Sequence, residues 1–173
     1  MSQVRLIALF GPSCTGKTTL ARALAHDRGL PLRCCGELIK QQAAQRGVDV
    51  TGLSQEDHRD IDQGTREWCL SGGVRVVEGR FLDQVLAPVW SPATSVLFEI
   101  SATGIARARR WAERINSIQT LSDVEAFDSD DLGFRVQAYS GVARVQPDWI
   151  VDTTDRSIEA CLEEIATRLS TRL

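Results

Sequence analysis

The eight residues Gly-Pro-Ser-Cys-Thr-Gly-Lys-Thr at positions 11–18 constrain this chain more than any other stretch. They follow an apolar run over residues 4–10 and precede a helical pattern that begins near Thr19. The stretch matches G-x-x-x-x-G-K-[ST] at every fixed position, in the strand–loop–helix context that a phosphate-binding loop (P-loop) requires. The sequence therefore predicts that a strand, this loop and a helix form the first unit of the fold.

The residue types in the loop predict a site for a nucleoside triphosphate, with ATP and Mg²⁺ as the expected ligands. The glycines let the backbone curl so that N–H groups point at anionic oxygens, and the following helix N-terminus adds a positive field. Lys17 is expected to reach the β- and γ-phosphates, and the Thr18 hydroxyl to ligate Mg²⁺ directly. The predicted nucleotide-binding residues are Gly11, Pro12, Ser13, Cys14, Thr15, Gly16, Lys17, Thr18 and Thr19.

Length and composition narrow the class of protein. A chain of 173 residues suffices for one α/β domain with a substantial core. The net charge of −3 argues against nucleic acid as a partner. Five cysteines without metal-type spacing favour a reduced, cytoplasmic protein. The apolar run at residues 4–10 is too short for an export signal, and the chain contains no apolar run of membrane-spanning length, so we expect neither.

Strand-like and helix-like segments alternate along the chain. The predicted strands cover residues 4–10, 30–35, 74–77, 95–100 and 149–152. The predicted helices cover residues 17–27, 37–46, 54–70, 103–112, 130–139 and a last segment that begins after Ser157. Residues 116–131 are polar and acidic without a sustained period, and Ser122 is a candidate cap for a short helix among them. This alternation predicts a three-layer α/β/α sandwich around a five-stranded parallel sheet.

Four further motifs occur in an informative order after the loop. They are CGELIK at residues 35–40, VEGR at 77–80, WAER at 111–114 and DWIVDT at 148–153. With the loop, they resemble the nucleoside monophosphate kinases, particularly the short, archaeal-type cytidylate kinases. The resemblance implies a single P-loop kinase domain over 1–173: a core (1–35, 73–115 and 142–173), a helical acceptor-binding segment (36–72) and a lid (about 113–131).

The resemblance also implies an activity and a set of acceptor residues. The reaction would be ATP-dependent phosphoryl transfer to a nucleoside monophosphate such as CMP or dCMP, giving ADP and a nucleoside diphosphate. Arg80 would clamp the acceptor phosphate, and Lys40 aligns with an arginine that grips the same phosphate in the family. Glu78 would orient Mg²⁺ through water, and Asp62 resembles an acidic acceptor-binding residue.

Arginines supply the remaining cations that the resemblance assigns to catalysis. Arg107, Arg110, Arg114 and Arg135 resemble lid arginines that fold over the triphosphate. Because Arg110 and Arg114 are four residues apart and share a helix face, we rank them first, with Arg135 third. Together with Lys17 and Arg80, these three form the predicted catalytic set. The lid departs from the family in being more acidic than basic, and Asp131 is placed to pair with Arg135.

A kinase for a hydroxyl group of a sugar, small metabolite, nucleoside or antibiotic stays open as an alternative. It would need a carboxylate base, and the second strand ends in two cysteines, although Glu37 or Asp62 could serve. A GTPase is excluded because the only lysines, Lys17 and Lys40, leave none for a guanine-reading motif. The expected partners are ATP and a small phosphorylated acceptor, without nucleic acid or membrane, in a monomer or homodimer.

Overall fold

The computed structural model describes residues 4–172, so residues 1–3 and 173 of the predicted domain lie outside the described part. The strands are β1 (Leu6–Phe10), β2 (Leu32–Cys34), β3 (Arg75–Gly79), β4 (Ser95–Ser101) and β5 (Trp149–Asp152). The helices are α1 (Lys17–Arg28), α2 (Cys35–Arg46), α3 (Gln55–Leu70), α4 (Leu82–Val85), α5 (Gly104–Ile115), α6 (Leu121–Ala138) and α7 (Ile158–Ser170). Short 3₁₀ turns occur at Val50–Gly52 and Ala87–Val89.

The sheet has the order β2-β3-β1-β4-β5, and every neighbouring pair is parallel. The predicted five-stranded parallel sheet is therefore confirmed. β1 lies in the centre, and Phe10 at its carboxyl end is opposite Gly79 of β3 and Glu99 of β4. Because open α/β sheets bind ligands beyond the carboxyl ends of their strands, this register brings the loop after β1 and the end of β3 to one candidate site.

Two apolar clusters cover the two faces of the sheet, as alternating strand side chains require. One cluster joins Leu9 and Phe98 to Leu20 of α1 and Ile165 of α7. The other consists of buried residues from β1, β3, β4 and the α4 region, with Trp68 of α3 packed against it: Leu6, Ala8, Phe10, Val77, Leu82, Val85, Leu86 and Leu97. The three-layer architecture follows from these two cores.

Most helix termini lie where the sequence predicts them. The Ser54 hydroxyl accepts a hydrogen bond from the Asp57 amide, and the Asp57 carboxylate accepts one from the Ser54 amide, which completes the predicted capping box of α3. Thr103 and Ser157 cap α5 and α7 in the same way through one hydrogen bond each. Within residues 4–172, no helix combines the length and the apolar character that crossing a bilayer requires.

The helix α6 corrects the prediction for the acidic region. The sequence predicts a short helix capped by Ser122 and a separate helix from about residue 130, whereas one 18-residue helix spans Leu121–Ala138. Its cap is Thr120, whose hydroxyl accepts from the Asp123 amide at 3.3 Å while the Asp123 carboxylate accepts from the Thr120 amide at 2.7 Å. The prediction was wrong because inward-facing positions of this helix hold Asp128, Asp131 and Arg135 instead of apolar residues, which hides the helical period.

Replacing Gly11 with alanine should destabilise the fold by about 2–4 kcal/mol. Gly11 has a φ of 142°, and a β-carbon there would lie 2.2 Å from the carbonyl oxygen of Ile100 on β4. Gly133→Ala is the control, since a β-carbon at this helical position meets nothing within 4 Å, and it should stabilise by about 0.5–1 kcal/mol. Urea unfolding of both variants tests this, and an unchanged midpoint for Gly11→Ala would contradict the close approach.

Candidate active site

The loop between β1 and α1 is fixed by its own backbone and by the strand-end residue Thr153. Gly16 and Cys14 both adopt left-handed conformations, with φ of 87° and 63°. The buried Thr15 hydroxyl donates to the Pro12 carbonyl at 3.0 Å, and the Thr153 hydroxyl donates to the Thr15 carbonyl at 2.7 Å. Thr153 follows β5, so a second strand end holds the loop in shape.

Lys17 lies inside the loop with only 8 % of its surface exposed. Its Nζ donates to the Pro12 carbonyl at 2.9 Å, so the side chain is folded back across the loop. Burial lowers the pKa of Lys17 from 10.5 to about 8, although the nearby Glu78 carboxylate acts in the opposite direction. The loop therefore holds a desolvated cation that an incoming anion would stabilise.

Glu78 and Thr18 provide oxygen atoms that fit a magnesium ion. Glu78, on β3, is only 3 % exposed, and burial raises the pKa of its carboxyl while Lys17 and Thr18 oppose that shift. A hydroxyl and a carboxylate in polar contact beside an anion-binding loop are hard ligands of the kind Mg²⁺ takes, with waters and phosphate oxygens completing its shell. The two residues thus fit the predicted direct and water-mediated roles.

Arg80 follows β3 directly and points toward α6. Its guanidinium is paired with the Asp131 carboxylate and lies about 5.5 Å from the Phe81 ring and 5.6 Å from the Phe127 ring. It is close enough to Lys17 to contribute to lowering that residue's pKa. Burial raises the pKa of Asp131, and Arg80 and Lys17 counter that rise. The carboxylate of Asp131 therefore lies near two of the site's cations. The predicted pair of Asp131 with Arg135 was wrong, because Arg135 pairs with Asp83 instead.

Arg107 is the arginine of α5 that contacts the loop. Its Nε donates to the Ser13 carbonyl at 2.7 Å, and its two terminal nitrogens donate to Asp128 at 2.7 and 2.6 Å. Only 6 % of its surface is exposed. The sequence analysis ranks Arg107 behind Arg110 and Arg114. The signal that could have singled it out is its position one turn after the Thr103 cap, close to the end of β4.

The three other predicted lid arginines have different surroundings. Arg110 donates to the Thr153 hydroxyl at 2.9 Å and the Thr154 carbonyl at 3.2 Å, so it ties α5 to the segment after β5. Arg114 is exposed and borders a small open pocket beside Ser13. The other residues lining this pocket are Cys14, Arg107, Trp111, Val124 and Phe127.

Arg135 is engaged at the carboxyl-terminal half of α6. It pairs with Asp83, a fully buried carboxylate that also accepts from Arg144 at 2.6 Å. The second oxygen of Asp83 has no hydrogen-bond partner among the described residues. These contacts anchor α6 to the segment that follows β3. Triphosphate contacts by Arg110, Arg114 and Arg135 stay predictions, as each arginine contacts the protein itself or solvent here.

Aromatic side chains from α3, α6 and the end of β3 pack together next to Arg80. Phe134 of α6 lies 4.9 Å from the His58 ring and 5.9 Å from the Phe81 ring, measured between centroids. The Tyr139 hydroxyl donates to Asp62 at 2.8 Å, and burial raises the pKa of that carboxyl. The sequence analysis did not identify these rings, because single aromatic residues spread over α3, α6 and the end of β3 form no local pattern.

Two predicted or alternative acceptor residues lie farther from these contacts. Lys40 is exposed on α2, so its predicted grip on the acceptor phosphate stays a prediction. Glu37, one of the candidate bases, is paired with Arg22 of α1. Lys17, Thr18, Glu78 and Arg80 are the predicted residues that the fold brings together at one edge of the sheet.

The affinity of the loop for a phosphate anion should fall as the pH rises through 8. Lys17 carries its charge below that pKa and loses it above, so the binding of ADP should weaken toward about tenfold per pH unit. Calorimetric titration between pH 7 and 9.5 measures this. Lys17→Arg, which stays charged throughout, is the control and should show a flat profile. A flat profile for the wild-type protein would contradict the role of Lys17.

Sequence comparison finds curated proteins that this chain resembles. No protein-family model matches the chain. It is 32 % identical over 114 residues to a cytidylate kinase of Pyrobaculum aerophilum, covering 63 % of this chain and 60 % of that protein. It is 28 % identical over 163 residues to a cytidylate kinase of Methanopyrus kandleri, covering 88 % of this chain and 80 % of that protein.

Comparison of structures identifies the fold. A gluconokinase of Sinorhizobium meliloti superimposes with a TM-score of 0.65 at 16 % identity, over 99 % of this chain and 94 % of that one. At this identity, the likeness concerns the fold alone. The predicted resemblance to cytidylate kinases is confirmed, and the chain has the α/β fold of the P-loop kinases.

Proposed function

We propose that the protein transfers the γ-phosphoryl group of ATP to a nucleoside monophosphate, with CMP or dCMP as the preferred acceptor. The observation that carries the proposal is the grouping of Lys17, Arg80 and Arg107 around one loop at the carboxyl edge of the sheet. The names of the two curated relatives described above, both cytidylate kinases, support the choice of acceptor.

Phosphoryl transfer between two phosphates needs alignment and charge neutralisation more than covalent help from the protein. The acceptor phosphate is already largely ionised at neutral pH, so no general base is needed. Lys17 would hold the β- and γ-phosphates, Arg107 would meet the donor beside Ser13, and Arg80 would clamp the acceptor with its two-pronged guanidinium. Bound Mg²⁺, held by Thr18 and through water by Glu78, would neutralise charge on the β- and γ-phosphates.

The segment over residues 113–131, continued by the rest of α6, is proposed as the lid. Phe127 and Phe134 face Arg80 and Phe81 from this helix, so a closed lid would exclude water from the acceptor side. Excluding water matters because water is itself a competing acceptor for the phosphoryl group. The lid would therefore favour transfer over hydrolysis of ATP.

One observation favours a second candidate, a kinase for a hydroxyl acceptor. The sequence analysis named Glu37 and Asp62 as candidate bases, but the Asp131 carboxylate is the one that pairs with Arg80 and lies near Lys17. Burial raises its pKa, which suits a general base for a hydroxyl proton. The gluconokinase with the same fold is consistent with such an acceptor. The nucleotide acceptor remains our first proposal because sequence similarity points to it.

A coupled assay of ADP release tests the choice of acceptor. The panel contains CMP, dCMP, UMP, AMP, GMP, nucleosides, gluconate and shikimate, each with ATP and Mg²⁺. We expect CMP or dCMP to give the highest kcat/KM, and Lys17→Ala to lose activity by at least about 100-fold while its circular dichroism stays unchanged. Full activity of Lys17→Ala would refute the site, and preference for an alcohol would refute the acceptor.

Replacing Arg80 with alanine should raise the acceptor KM by about 10–100-fold and lower kcat. The KM for ATP should change by less than about threefold, because the proposal assigns Arg80 to the acceptor phosphate and not to ATP. Arg109→Ala, which removes an exposed arginine of α5, is the control and should leave both constants near the wild-type values. A selective loss of ATP affinity in Arg80→Ala would show that the acceptor assignment is wrong.

A further inference from the structure

The inward face of α6 brings two carboxylates to the site's arginines. Asp128 receives hydrogen bonds from both terminal nitrogens of Arg107 at 2.7 and 2.6 Å, and Asp131 pairs with Arg80. The two aspartates are three residues apart, so they lie on one side of the helix. Two of the three cations grouped around the loop are thus neutralised by a single element.

A carboxylate and a phosphate compete for the same positions on a guanidinium. Both present two oxygens to the planar fork, and the two-pronged contact of Asp128 with Arg107 has that form. Arg107 simultaneously donates from Nε to the Ser13 carbonyl, so the guanidinium whose terminal nitrogens Asp128 occupies lies against the loop. A phosphate group could not contact these nitrogens without displacing the carboxylate.

We propose that Asp128 and Asp131 are built-in substitutes for substrate phosphate groups. They make α6 an autoinhibitory cover in the free protein, because a ligand must displace the two carboxylates from Arg107 and Arg80 before α6 can close over it as the lid. This inference extends the proposed function. It depends on that function in one respect: both arginines must bind substrate phosphate. Asp128 takes the position of a donor phosphate and Asp131 that of the acceptor phosphate.

The rest of α6 is built for such a displacement. Val124 is its only fully buried side chain among the described residues, and Leu132 and Val136 are exposed on its outer side. The Arg135–Asp83 pair anchors the carboxyl-terminal half of the helix, one turn beyond Asp131. Phe127 and Phe134 also pack against neighbouring rings, so the ion pairs that phosphate would replace are one part of what keeps the helix over the loop.

A cover held by two pairs couples the two substrates. The first phosphate ligand to bind breaks one pair and weakens the hold of α6 on the other arginine. The second ligand then binds a site that is already partly free, which is positive cooperativity between donor and acceptor. In a variant that lacks either aspartate, a ligand has one ion pair fewer to break, so it should bind more tightly.

Binding of inorganic tripolyphosphate, measured by calorimetry at fixed pH and salt, tests the cover without involving any base or sugar. We expect Asp128→Asn and Asp131→Asn each to tighten binding by at least threefold. Asp130→Asn, which removes an exposed carboxylate next to Asp131, controls for net charge and should stay within twofold of wild type. Unchanged or weaker binding by both folded variants, or equal tightening by Asp130→Asn, would overturn the proposal.

Hydrogen exchange on the wild-type protein gives a test that needs no variant. Saturating tripolyphosphate should speed amide exchange in peptides from residues 121–138, because the helix loses both ion pairs. Slower or unchanged exchange in these peptides would overturn the proposal. Failure of CMP as a substrate would leave these measurements intact. A kcat loss of 100-fold or more in Asp131→Asn without tighter tripolyphosphate binding would instead indicate a general base and overturn the cover.

Discussion

Charge balance at the carboxyl edge of the sheet is the constraint on which the rest of the structure depends. Lys17, Arg80 and Arg107 are held close to one loop, and burying cations is costly unless anions accompany them. In the protein alone, Glu78, Asp131 and Asp128 supply those anions. During turnover, the phosphate groups of the substrates would supply the anions. The same three cations would then stabilise the free protein through ion pairs and bind the substrates when these are present.

The fold produces this concentration of charge through strand register. Because β1 and β3 are adjacent and parallel, Phe10 lies opposite Gly79, and the residues that follow both strands emerge side by side. Gly11 permits the loop to pass against the carbonyl of Ile100 on β4, where a side chain would clash. β5 adds Thr153, whose hydroxyl fixes the loop from the other side. The loop's geometry is therefore a property of the whole sheet.

The sequence predicts what depends on local pattern and misses what depends on opposing surfaces. The strands, the caps at Ser54, Thr103 and Ser157 and the loop itself follow from neighbouring residues. The helix α6 could not be predicted in this way. Asp128 and Asp131 occupy inward-facing positions, where an amphipathic helix normally has apolar residues. The choice among arginines on α5 likewise depends on which one faces Ser13, and this is set by the packing of α5 against the loop.

The most direct test of the central claim is a crystal structure with a bisubstrate analogue, an adenosine and a cytidine joined through five phosphates, in the presence of Mg²⁺. The account predicts phosphate oxygens on Lys17 Nζ and on the guanidinium groups of Arg80 and Arg107, with Asp128 and Asp131 withdrawn from both arginines. Intact pairs from α6 to both arginines, with the phosphate chain bound elsewhere, would contradict it.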